Sequence, residues 1–66
     1  MLKNAVHTEI DWTGIEYRTA YQVYKGMIQW LKERDIEHRF EYKNGSHLPC
    51  AVIMDAESTI AFKFIF

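Results

Sequence analysis

Between Tyr17 and Leu31 the apolar residues Tyr17, Ala20, Tyr21, Tyr24, Met27, Ile28 and Leu31 recur at steps of three and four. That spacing puts them in one stripe down roughly four helical turns. A helix with such a stripe must lay it on something, and what surrounds it in this chain is a set of short alternating runs. The stripe therefore reads as the core-facing side of a helix packed on a sheet, not as an aromatic box for a cofactor.

The run AVHTEIDW, residues 5–12, sets Val6, Thr8, Ile10 and Trp12 on one side and His7, Glu9 and Asp11 on the other, the period of a half-buried strand. At Thr13 the period changes. Thr13 and Glu16 have capping-box spacing, and Trp12 and Tyr17 occupy the two positions of a hydrophobic staple, so a helix is expected to begin at Thr13. Lys32 and Arg34 suit the negative end of the helix dipole, and no glycine marks the exit near Asp35. Ile36, His38, Phe40 and Tyr42 then alternate with Glu37, Arg39, Glu41 and Lys43. After a loop from Asn44 to Pro49, Cys50–Met54 is apolar on both faces, as a central strand is. Residues 55–58, DAES, read as a polar turn into a fourth strand, TIAFKFIF, over residues 59–66. The expected fold is a single α+β domain over residues 1–66, β-α-β-β-β, with one helix on one face of a mostly antiparallel four-stranded sheet.

Two strand orders are open. Either the last three strands form a meander of sequential neighbours, or the first two strands pair in parallel as a βαβ unit. In the second case Pro49 before an apolar strand resembles the core of glutaredoxins and other thioredoxin-like folds. Those enzymes carry a cysteine at the start of the first helix, where this chain has Thr13-Gly14-Ile15, so a thiol redox role does not follow.

Composition narrows the function classes. Sixty-six residues with one cysteine offer no disulfide within the chain, so a core rich in apolar residues, 48% of the total, has to hold so small a domain together. No apolar run is long enough to cross a bilayer and no leader pattern is present, so a cytoplasmic protein is expected. A net charge of −1 gives no global field toward nucleic acid, and any such role must rest on a local patch.

The segment KNGSHLPC, residues 43–50, is the densest in chemistry-bearing side chains. Asn44-Gly45 is a turn signal and Pro49 keeps Leu48 extended, so a corner explains most of it. Cys50 opens an apolar strand, where cysteine behaves as a small hydrophobe. His7, His38 and His47 sit on separate elements without metal-ligand spacing, so no metal and no cofactor is expected. A helix, a strand, a turn carrying Gly45-Ser46-His47 and a further hairpin resemble the HicA-type mRNA interferases, over roughly Lys25 to Phe66. That resemblance implies a double-stranded-RNA-binding-domain-like fold and an RNA-cleaving role for His47, whose imidazole would take the proton of a ribose 2′-hydroxyl. The chain departs from the family in its slight acidity, in Leu48-Pro49-Cys50 and in the added strand before the helix.

Two surfaces remain. Arg18, Gln22, Lys25, Gln29 and Lys32 share one helix flank, a candidate track for nucleic-acid phosphates beside its plainer reading as a solvated flank. On the other flank Gly26 sits between Val23 and Trp30 as a notch for a partner side chain, unless another part of the chain fills it. In TIAFKFIF only Lys63 blunts a strand edge that would bury Ile65 on pairing, so a homodimer or strand-augmented complex through residues 59–66 is expected. The leading expectation is a non-enzymatic module that binds a protein partner stoichiometrically, as small regulators and inhibitors from phage and other mobile elements do. Val23, Gly26, Trp30, Lys63 and Ile65 are its candidate contacts, and the interferase reading with His47 is the alternative.

Overall fold

A computed structural model describes residues 4–66. In chain order it contains β1 (Ala5–Glu9), α1 (Tyr17–Glu33), β2 (Arg39–Tyr42), β3 (Pro49–Asp55) and α2 (Ala56–Ile65). The three strands form one sheet in the order β1-β3-β2, and β3 runs antiparallel to both neighbours. β3 takes the centre because it alone is apolar on both faces. Val52 and Met54 are fully buried on one side and Ala51 on the other. β2 and β3 are neighbours in sequence and space, as a meander requires, whereas β1 and β2 do not pair directly but flank β3 in parallel.

The expected fourth strand is a helix, and the sheet has three strands rather than four. DAES is not a turn but a helix start. Asp55 is the N-cap of α2, its carboxylate accepting the Ser58 N–H at 3.0 Å, and Glu57 lies in the first turn, where the helix dipole favours an acid. Thr59 Oγ1 donates to the Asp55 carbonyl at 2.8 Å. An almost wholly apolar stretch satisfies both periods at once. Ile60, Phe62, Phe64 and Phe66 alternate like a strand, yet Thr59, Phe62 and Phe66 also stand three and four apart; Thr59 and Phe62 are buried, and the half-exposed Phe66 packs on Phe62 and Trp30.

The start of α1 also differs from the expectation. Thr13 does not cap it: the N-cap is Glu16, without a side-chain bond. Asp11 Oδ1 instead accepts the Thr13 N–H at 2.9 Å, and Ile15 N donates to the Trp12 carbonyl at 3.1 Å around Gly14, whose φ is +80°. Asp11 and Gly14 thus make a tight turn before the helix. Trp12 is not a staple for Tyr17, because its Nε1 donates to the Pro49 carbonyl at 2.7 Å. The helix exit is firmer than a glycine-free sequence suggests. Asp35, at φ +53°, donates to Lys32 and Ile36 donates to Leu31 at 3.0 Å, the paired bonds of a Schellman motif with aspartate in the left-handed position.

Both helices lie on the same face of the sheet. Met27, Trp30 and Leu31 of α1, Val52 and Met54 of β3 and Phe62 of α2 form the core, with Ile10, Trp12, Val23, Ile36 and Phe40 packed around it. Among the described residues neither helix covers the other sheet face. Across it His7 Nε2 meets Glu41 Oε1 at 2.9 Å, a pair exposed enough to contribute little to stability.

Candidate functional site

The connection from β1 to α1 and the last turn of α2 enclose a groove of about 580 Å³. Its first wall is fixed at two points: Ile10 N donates to the Cys50 carbonyl at 2.9 Å, and the Trp12 indole is tied to Pro49. The turn at Gly14 then brings Ile15 to the groove, facing Phe62, Ile65 and Phe66 of the second wall, and Val23 and Met27 of α1 complete the lining. Ile15, Ile65 and Phe66 are 44%, 59% and 42% exposed, so the groove leaves unusually large apolar side chains in contact with water. Glu9 and Asp11 on the first wall and Lys63 on the second supply its charges. Hydrogen bonds from the Thr13 side chain and backbone N–H hold the Asp11 carboxyl below its ordinary range, so the acidic charge stays fixed through the neutral range.

Of the residues singled out in the sequence as partner contacts, Val23, Lys63 and Ile65 meet in this groove. They come together because residues 59–65 are helical, and the strand edge on which the homodimer expectation rested is absent. Gly26 and Trp30 do not join them. A Cβ on Gly26 would lie 3.9 Å from Phe66 Cε1, and the Trp30 ring stands edge-on to Phe62 and Phe66 at 5.9 and 6.1 Å. The chain's own second helix fills the notch. Trp30 is 8% exposed, with its Nε1 buried and without a hydrogen-bond partner among the described residues, and Arg34 covers its ring at 4.7 Å.

The loop after β2 is organised by its backbone. Ser46 N donates to Lys43, Ser46 Oγ bridges to both the N–H and the carbonyl of Leu48, and Gly45 takes φ +80°. His47 is exposed within it, and no hydrogen bond orients its imidazole among the described residues. Cys50 is half-buried at a bulge, the extra residue between the Glu41–Ala51 and Tyr42–Pro49 pairs. No group of three or more His, Cys, Asp or Glu among the described residues could hold a metal ion, and no helix among them is long and apolar enough to cross a membrane.

Arg18, Lys25 and Lys32 are exposed on α1, as a solvated flank or a phosphate track requires. Beside them the tyrosines of the stripe are not core. Tyr17 and Tyr21 are 57% and 43% exposed, and only Ala20, Met27, Trp30 and Leu31 of α1 are buried. Sequence reasoning also missed Ile15, read as a helix position, and Ile60 and Phe64, which α2 turns outward with Phe64 86% exposed. The chain matches none of the protein-family models, the curated proteins or the solved structures with which it was compared.

Proposed function

We propose that the protein is a non-enzymatic binding module whose groove between the β1–α1 turn and α2 receives an apolar segment of a protein partner, in the stoichiometric manner of a small regulator or inhibitor. The observation that carries this reading is the lining: Ile15, Ile65 and Phe66 stand exposed around a concave surface large enough for one or two partner side chains. The acids Glu9 and Asp11 on one wall select a partner segment with a basic residue beside its apolar ones. An amphipathic helix with apolar residues three and four apart and a flanking lysine meets both requirements.

Trp12 lines the groove and reports its occupation. Titration with such a helical peptide should change Trp12 emission saturably, in a Trp30→Phe background that leaves one indole. The change should vanish with Ile65→Ser and weaken with added salt. No saturable change, or an equal response in Ile65→Ser, rejects the groove as the docking surface. RNA cleavage by the purified protein that disappears in His47→Ala would replace this reading with the interferase one.

A further inference from the structure

α1 has a second exposed face, away from the groove, and its chemistry is different. Tyr17, Tyr21, Tyr24 and Tyr42 form a continuous ladder of rings. Tyr17 and Tyr21 are 6.2 Å apart with planes 12° from parallel, Tyr21 and Tyr24 are 6.3 Å apart, and Tyr24 and Tyr42 are 6.4 Å apart. The ladder crosses from α1 to β2, an edge strand of the sheet. The Tyr24 hydroxyl bonds that of Tyr42 across the junction, and Phe40 stands edge-on beneath Tyr24 at 5.2 Å. The inner end of the ladder is thus braced while its outer rings stay in water.

The cations lie alongside. Tyr17, Tyr21, Tyr24 and Ile28 form one row of the helix and Arg18, Lys25 and Lys32 the adjacent one, with Lys25 Nζ 5.7 Å from the centre of the Tyr21 ring. Charge is segregated there. α1 holds three of the eight basic residues of the chain and, in Glu33, one of its nine acidic ones, so a net-negative protein presents a positive helix. Exposed rings with cations beside them offer π-faces for stacking and charges for a backbone. An apolar partner segment would leave the lysines and hydroxyls unmatched, and an acidic peptide would leave the rings unused. A duplex hides the faces of its bases. We infer that the tyrosine ladder and the cation row beside it bind single-stranded nucleic acid, with bases against the outer rings and phosphates along Arg18, Lys25 and Lys32. This surface is separate from the groove, and the two readings stand or fall independently.

The test is fluorescence anisotropy at low salt with labelled oligo-U and oligo-dT of about twelve nucleotides, within the span that single-strand sites cover. Saturable binding of either is expected, and their ratio tells whether the 2′-hydroxyl is read. Tyr21→Ala should weaken binding about tenfold. Lys25→Gln with Lys32→Gln should lower the slope of log affinity against log salt by about 1.4. Ile65→Ser in the protein groove should leave binding unchanged, and thermal melting confirms that each variant is folded. The inference is overturned by absence of binding to both strands, by equal binding of duplex, by a folded Tyr21→Ala that binds like the parent, or by a polyglutamate peptide that displaces the labelled strands as well as unlabelled oligonucleotide does.

Discussion

On one shoulder of α1, Val23, Gly26 and Trp30 lie toward α2; on the other, Tyr17, Tyr21 and Tyr24 lead only to the short edge strand β2. The helix sequence alone ranks them the other way, because the tyrosines continue the stripe of Leu31 and Met27 while the first shoulder contains a glycine. What decides is how much apolar surface each neighbour supplies. α2 brings Phe62 and Phe66 to the first shoulder, whereas β2 is four residues long and brings Phe40 and Tyr42 to the second. A helix buries the face its neighbours can cover, and tyrosine, with a polar end, tolerates the uncovered one.

The largest expected effect tests the closed shoulder. Trp30→Ala empties the space against Phe62 and Phe66 and should destabilise by about 3–5 kcal/mol. That is comparable to the whole stability of a domain this small, so the variant should be largely unfolded by circular dichroism at room temperature. Trp30→Phe should be far milder, since it keeps most of the ring contact with Phe62 and removes a buried N–H that has no partner. Equal damage from both would mean that the indole nitrogen is bonded to water and matters more than the packing.

Gly26→Ala comes next and has the opposite sign. The added methyl would stand 3.9 Å from Phe66, an ordinary contact, and Gly26 is not held at positive φ. Alanine should therefore stabilise the helix by about 0.8–1.0 kcal/mol, visible as a higher denaturation midpoint. A larger residue such as leucine should push Phe66 away and lose that gain. If alanine destabilises instead, Phe66 packs against the helix more closely than 3.9 Å.

These two predictions also mark what was legible in the sequence. α1 was, because seventeen residues of helical period leave little choice; so was β3, because Cys50–Met54 is apolar on both faces. α2 was not. Ile60, Phe62, Phe64 and Phe66 suit a strand as well as a helix, and the discriminating signal was the Asp55 carboxylate three residues before Ser58, read as a turn. With α2 misassigned, the residue that fills the Gly26 notch could not be identified. Val23, Lys63 and Ile65 were singled out, but as parts of two unrelated surfaces, and the groove that joins them needs the helix. The exposure of the tyrosines depends on the length of β2, which no local pattern fixes.

The open shoulder should respond weakly to truncation. Tyr17 is 57% exposed, and its ring meets Tyr21 but none of the core residues. Tyr17→Ala is expected to change stability by no more than about 0.5 kcal/mol, measured by urea unfolding. A loss several times larger would show that the ladder is structural after all and would merge the two shoulders into one core.

The last effect is absent at neutral pH and concerns where the open shoulder ends. Burial, reinforced by the hydrogen bond to Tyr42, pushes the Tyr24 hydroxyl up to about 12 from its usual value near 10. Because the folded value is raised, the neutral hydroxyl is favoured by folding. Its contribution to stability is complete below pH 10, the unfolded value, and is lost as pH rises from there through about 12. Tyrosinate absorbance followed upward in pH should therefore show one ring ionising late, and Tyr24→Phe should remove that late step. Tyr42→Phe should move the step downward without abolishing it, since burial comes first among the causes and the hydrogen bond second. Were Tyr24 to ionise near 10 in the parent, neither burial nor the bond to Tyr42 would hold its hydroxyl neutral, and the ladder would have no braced end.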